Sequence, residues 1–280
     1  MTLVFFVVVK RHTFLSWLTD RIILEPSRRE ITVPHKRRVL LSHADGHLEA
    51  WVHRVGADAE TRDPDLYVLI FPGTGSRAED STPLVDNCWP ELSVEVWAVN
   101  PPGYGGSTGT ASLHNIPSMA SRALDGLRSQ AAGRPLVVAG GSLGCVSALY
   151  LVSRHAVDGM LLENPPALRE VIRAQSGWWQ FAWARTALAR HIPEVLDSIR
   201  NASQTRVPAV FIVAQQDRIV PARCQKQIID AYAGPKRVLD RPEADHDTPL
   251  YEGDVRQLRE LAAWLRRGWT GDKVNQQSRK

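Results

Sequence analysis

The sequence predicts an α/β protein built on a mainly parallel, twisted sheet with helices on both faces. Three observations carry that prediction. Short apolar runs rich in β-branched residues recur along the chain, among them Leu66–Phe71, Val94–Val99 and the stretch 207–214. Helical, amphipathic segments alternate with them, the pattern of strands buried on both faces. Between 135 and 149 the chain reads as strand, tight turn and helix, with Ser142 at the turn and glycine at 140, 141 and 144.

At 280 residues the chain has room for one large α/β domain or two small ones. Its 44% hydrophobic and 23% charged content is ordinary for a soluble globular protein. The net charge of +4 is mild, and its excess lies near the ends, in Arg28-Arg29, residues 35–38 and Arg266-Arg267. Scattered basic ends fit solubility or loose attraction to anionic surfaces, so no nucleic-acid partner is expected. Cys88, Cys145 and Cys224 form no C-x-x-C pair and leave an odd count. That argues against a disulfide framework or zinc site and for a reducing, cytoplasmic setting.

Taken in order, the chain opens on the apolar run Leu3–Val9. It is too short to span a bilayer, which takes ~20 residues. Lys10 and Arg11 follow it instead of preceding it, and no small-residue cleavage site is evident, so a secretory signal is not supported. An extra strand or helix start packed on the domain is the simpler expectation. A membrane-anchor remnant, giving peripheral membrane contact through the N-terminus, and a wrongly chosen start codon are the alternatives.

Phe14, Trp17, Leu18, Ile22 and Leu24 lie near helical spacing and predict an amphipathic helix over 12–25 that Pro26 stops. Residues 39–41 and 48–53 flank Ala44-Asp45-Gly46, whose Asp-Gly step signals a hairpin. Strands are expected at Leu66–Phe71, Val94–Val99, the run before Ser142, Val157–Leu162, 207–214 and Lys236–Leu239. Helices are expected from Asn115 to Ala131, after Ser142, and from Asp254 to Arg267. The organisation that follows is an N-terminal extension over 1–35, a domain over 36–268 with an insertion over about 167–206, and a polar tail over 269–280. The insertion is longer than a simple crossover needs.

Gly140-Gly141-Ser142-Leu143-Gly144, set between strand and helix, is a G-x-S-x-G nucleophile elbow. The serine of such a turn is backbone-strained, so positions two before and two after must be small; Gly140 and Gly144 meet that demand. Here the chain resembles the α/β-hydrolase superfamily, over about residues 36–268. The resemblance implies the α/β-hydrolase fold with a helical lid insertion, and a triad in the order serine, acid, histidine. Asp217, just past the strand 210–214, stands at the family's acid position. His246, in the loop before the last helix, stands where the family has its base. Taken singly, Asp217 is a common turn or cap residue and His246 a common loop residue. Three such residues at strand ends in that order make a set. Asp245 and Asp247 flank the histidine and are candidates to orient it or simply solvated. Glu163, at the end of the strand after the elbow helix, is the backup acid.

The family's oxyanion donors are the N–H after the nucleophile, here Leu143, and one from the loop after the third strand, here Thr74. Pro72 stands where a histidine is often found. Tyr104, in the loop Asn100–Gly109, is a candidate pocket wall. So are Trp178, Trp179 and Trp183 in the insertion, which read equally as plain packing surface. Gly73-x-Gly75-x-x-Ala78 fits the dinucleotide fingerprint weakly, with Asn100 in place of the acid that reading wants at the next strand tip.

The expected activity is hydrolysis of a carboxylic ester, thioester or amide of a small-molecule acyl substrate, without metal or organic cofactor. The alternative is an α/β-hydrolase scaffold without catalysis, used for binding.

Overall fold

The computed structural model of the protein describes residues 15–44, 46–80, 83–174 and 182–277. β1 (Arg37–His43) and β2 (Gly46–Gly56) form an antiparallel hairpin, and β2 runs antiparallel to β4 (Ser93–Val99). The remaining pairings are parallel and bring in β3 (Leu66–Phe71), β5 (Leu136–Gly141), β6 (Gly159–Glu163), β7 (Ala209–Ala214) and β8 (Lys236–Arg241). The eight strands make one sheet in the order β1-β2-β4-β3-β5-β6-β7-β8.

Residues 15–23 are helical (α1). The other helices are α2 (Pro83–Asp86), α3 (Ile116–Ala131), α4 (Gly144–Val152), α5 (Leu168–Ala174), α6 (Ala182–Arg190), α7 (Ser198–Gln204), α8 (Ala222–Ala231) and α9 (Glu252–Gln277).

The apolar strand runs are explained by two cores, one on each face of the sheet. Along β3, Tyr67, Leu69 and Phe71 join the core under α3 and α4, while Leu66, Val68 and Ile70 join the core under α2 and α9. β5 and β7 divide in the same way, with Val138 and Phe211 on the first face and Val137 and Val210 on the second. A strand with no solvent face carries apolar residues at every position. Burying each large side chain contributes about 1.5–3 kcal/mol. β1 and β8 lie at the edges and carry charge (Arg37, Arg38; Lys236, Arg237, Asp240), which discourages pairing with another chain.

Two differences from the sequence reading have local causes. Gly46 pairs with His43 and so already belongs to β2, outside the turn. Glycine is needed there because a Cβ would come within 2.1 Å of Thr108 Oγ1. The last helix runs on to Gln277 instead of ending at Arg267. Trp269 continues its buried stripe: the ring packs on Trp89, centroids 5.8 Å apart, and Nε1 donates to the Asp158 carbonyl at 2.9 Å.

The chain leaves β3 toward β4 on one side and reaches β5 on the other. The carboxyl ends of β3 and β5 therefore flank a topological switch point, the usual crevice for ligands in open α/β sheets. Among the described residues no helix is long and apolar enough to cross a membrane. The apolar run Leu3–Val9 lies outside the described residues.

Candidate active site

Ser142 follows β5 at that crevice with φ +48°, a left-handed conformation a serine adopts only under strain. Its N–H donates to the Glu163 carbonyl at 2.8 Å, and its own carbonyl accepts from Cys145 N at 2.9 Å. The turn is tight enough to exclude side chains on either side. A Cβ on Gly140 would lie 2.6 Å from the Gly144 carbonyl carbon, and one on Gly144 would lie 2.0 Å from the Phe71 carbonyl oxygen. The elbow glycines are thus required by contact between β3, β5 and α4.

Asp217 follows β7 and is 5% exposed. Four donors converge on its carboxylate. Oδ1 accepts from Ile219 N at 2.8 Å and Val220 N at 2.7 Å; Oδ2 accepts from Gln225 Nε2 at 3.2 Å and meets His246 Nδ1 at 2.6 Å. With Nδ1–H directed at Asp217, the lone pair of the neutral ring lies on Nε2. Burial by itself would lower the His246 pKa. The Asp217 hydrogen bond and charge outweigh it, aided by Asp247 and Glu163, and the ring titrates above its ordinary value. Asp245 fastens the same loop: its Oδ1 accepts from His246 N at 2.8 Å and Arg218 N at 3.1 Å, and its pKa is lowered by those bonds.

Ser142 and His246 line one cleft of about 800 Å³, together with Gly73, Thr74, Leu143 and Glu163. Leu143 is the N-cap of α4, where the first amides of a helix lack intrahelical partners and the helix dipole favours negative charge. The loop after β3 presses on the elbow, since a Cβ on Gly73 would lie 3.3 Å from Ser142 Cβ. Thr74 is held there by its side chain, which donates to the Ile23 carbonyl at 3.1 Å.

No protein-family model matches the chain. An uncharacterized protein of Mycobacterium tuberculosis is 30% identical over 259 residues, covering 87% of this chain and 86% of that protein. The fold is similar to that of an acetyl xylan esterase from Paenibacillus sp. R4, with TM-score 0.61 and 19% identity over 90% of this chain and 92% of that one. It is also similar to a member of the α/β serine hydrolases without a lid from Xanthomonas campestris, with TM-score 0.56 and 15% identity over 86% and 96%. The chain has the α/β-hydrolase fold.

Within this fold, Asp217 and not Glu163 holds the histidine. Glu163 lies in the cleft beside Gly141 without bonding to the ring. Tyr104 lines a smaller pocket that shares Phe71, Pro72, Gly73 and Leu143 with the main cleft, and its hydroxyl donates to the Leu24 carbonyl at 3.1 Å. The insertion contributes Leu168, Val171 and Ile172 of α5 to the cleft wall. Trp178 and Trp179 lie outside the described residues, as does the side chain of Trp183. The weak dinucleotide pattern has a different role: Asn100 Oδ1 accepts from Ala78 N at 2.9 Å, binding that loop to the end of β4. Asn100 Nδ2 also donates to Glu49 Oε2 at 2.8 Å and Glu79 Oε2 at 2.9 Å, a buried network beneath the loops.

Two of the basic residues near the start are also tied into the fold. Arg28 donates to the carbonyls of Gly103 and Gly109 at 3.3 and 2.9 Å, and Arg38 pairs with Glu49 at 2.6 Å. Cys88, Cys145 and Cys224 are buried and free. Among the described residues no group of three or more His, Cys, Asp or Glu side chains is arranged to hold a metal ion.

Sequence reasoning missed Asn164 and Gln225. Asn164 is buried at φ +48°. Its Nδ2 donates to the His246 carbonyl at 3.1 Å, and its Oδ1 accepts from Ala214 N at 3.0 Å. The Asn-Pro-Pro that follows the Glu163 strand was the available signal, because asparagine is among the few residues that tolerate that backbone. Asn164→Ala leaves a buried amide unpaired and is expected to cost about 1–3 kcal/mol of stability, read as a lower denaturant midpoint. An unchanged midpoint means that the bridge to the histidine loop carries no stability.

Proposed function

We propose that this protein is a serine hydrolase that cleaves a carboxylic ester, thioester or amide of a small molecule through an acyl-enzyme on Ser142. The observation that carries the reading is the 2.6 Å pairing of His246 with buried Asp217, in a cleft that also contains the strained Ser142. His246 Nε2 takes the Ser142 proton as Oγ attacks the carbonyl carbon. The developing oxyanion is received by the backbone N–H groups of Leu143 and Thr74. The imidazolium, stabilised by Asp217, then passes its proton to the leaving group, which departs as an alcohol, thiol or amine. Water, deprotonated by His246, attacks the acyl-enzyme and releases the carboxylic acid and free Ser142.

Besides substrate and water, every group this sequence of steps uses belongs to the chain. Similarity to proteins described as esterase and serine hydrolase supports the ester as the first substrate to try. A fluorophosphonate probe is expected to label the wild-type protein on Ser142 and to leave Ser142→Ala unlabelled. A folded wild type that resists labelling overturns the reading and leaves the scaffold without catalysis. A series of p-nitrophenyl esters of graded chain length, run beside aminoacyl amides, then sorts the acyl group.

A further inference from the structure

Glu163 is a carboxylate with no job in the proposed chemistry and, among the described residues, no hydrogen-bond or salt-bridge partner. It ends β6 in register with Gly141, the residue before Ser142. Alternate residues of these strands, Val137 and Ala139 in β5 and Leu161 in β6, face the core under α9. Glu163 continues that row where the core gives way to the cleft. A Cβ placed on Gly141 would lie 3.8 Å from Glu163 Oε2, so the carboxylate sits over the residue preceding the nucleophile.

Among the described residues nothing donates a hydrogen bond to this carboxylate and no cation pairs with it. The acid place on His246 is filled by Asp217 at 2.6 Å. Arg241 is the basic residue whose charge it feels most, but that guanidinium is engaged by Asp254 at 3.0 Å and by the carbonyls of Thr248 and Pro249 at 3.0 and 2.6 Å. Burial pushes the Glu163 pKa up; Arg241 and His246 pull it down, and Asp247 adds to the rise. A carboxylate in this position is desolvated and uncompensated until a ligand brings a partner.

The rest of the cleft has the same sign. Glu25 and Asp247 also line it, and no Lys or Arg is present among its described lining residues, in a chain whose net charge is +4. Apolar side chains, among them Ile70, Leu84, Leu250 and Val255, make up much of the cleft lining. Such a surface repels anionic substrates and offers neutral ones no charge pairing. A short methylene stem ending in an ammonium satisfies both the wall and the carboxylate.

We propose that the substrate carries an ammonium group close to its scissile bond and that Glu163 binds it. This rests on the serine-hydrolase reading and narrows its substrate class.

The test compares two p-nitrophenyl esters of nearly equal shape, the cationic β-alanine ester and the neutral butyrate ester. Wild type is expected to favour the β-alanine ester by about tenfold or more in kcat/KM. In Glu163→Gln the ratio of the two is expected to fall toward one, chiefly through KM for the cationic ester. Propylammonium should inhibit hydrolysis of the butyrate ester competitively in wild type, whereas propanol should not. If Glu163→Gln fails to fold, the wild-type ratio and the propylammonium inhibition still decide. Turnover of the butyrate ester with no preference for β-alanine and no inhibition by propylammonium overturns this inference alone. A ratio unchanged in folded Glu163→Gln removes Glu163 from the role. Absence of any turnover together with absence of labelling on Ser142 overturns the hydrolase reading, and this inference with it.

Discussion

His246→Ala is expected to lower kcat by about six orders of magnitude while leaving the fold intact, the scale seen when a triad member that moves the proton is removed. The argument is one of proton bookkeeping. A serine hydroxyl is a poor nucleophile at neutral pH, and the proposed mechanism has one base positioned to accept its proton. Among the described residues that line the cleft, the other titratable groups are Glu25, Glu163 and Asp247. Glu163 lies under Gly141, and Glu25 and Asp247 are exposed, so none is seated on Asp217 as His246 is. The side chain itself carries little of the fold: its Nδ1 contact to Asp217 is lost on truncation, but the loop keeps the Asp245 and Asn164 bonds to its backbone. Circular dichroism and the melting temperature should therefore stay near wild type while p-nitrophenyl ester turnover collapses. Activity retained within tenfold removes His246 from the role of base.

Much of this was legible in the sequence, for a physical reason that also marks its limits. The strand runs of β3, β4 and β7 announce themselves because both faces are buried, and the elbow announces itself because its glycines are forced by contacts of 2.0–2.6 Å that no larger residue survives. Residues whose type is dictated by sterics or by a required order along the chain can be read one dimension at a time. Asn164 and Gln225 act otherwise. Asn164 reaches the His246 loop from the end of β6, far away in sequence, and Gln225 reaches back from α8 to Asp217; the left-handed backbone at 164 favours an asparagine, but neither amide's partner can be read from its neighbours. The role of Arg28 was hidden for the same reason: its charge reads as part of a basic end, and the fold also turns it onto the carbonyls of the glycine loop 103–109. Which of Asp217 and Glu163 reaches His246 Nδ1 was likewise hidden in the sequence, and the fold gives that contact to Asp217.

Asp217→Asn tests the second half of the proposed proton path, and its expected effect is a loss of about four orders of magnitude in kcat. An asparagine amide placed at Asp217 would donate to Nδ1, which forces the ring proton onto Nε2 and leaves no lone pair facing the serine. The pH profile separates this tautomer effect from simple disorder. In wild type the rate requires neutral His246, so kcat/KM should rise with pH through an apparent pKa above the ordinary 6.5, because Asp217 raises it against the pull of burial. Without the Asp217 charge, burial prevails, and the residual activity should rise at lower pH than in wild type. Stability follows the same ring. The raised pKa means that His246 adds stability fully below its unfolded value of 6.5, and this contribution is lost as pH rises through the folded pKa. Asp217→Asn should therefore abolish that fall in the melting temperature between the two values. If the rate survives Asp217→Asn and collapses instead in Glu163→Gln, the acid of the triad is Glu163. The 2.6 Å bond to His246 then has only a structural role, and the ammonium site proposed on that carboxylate goes with it.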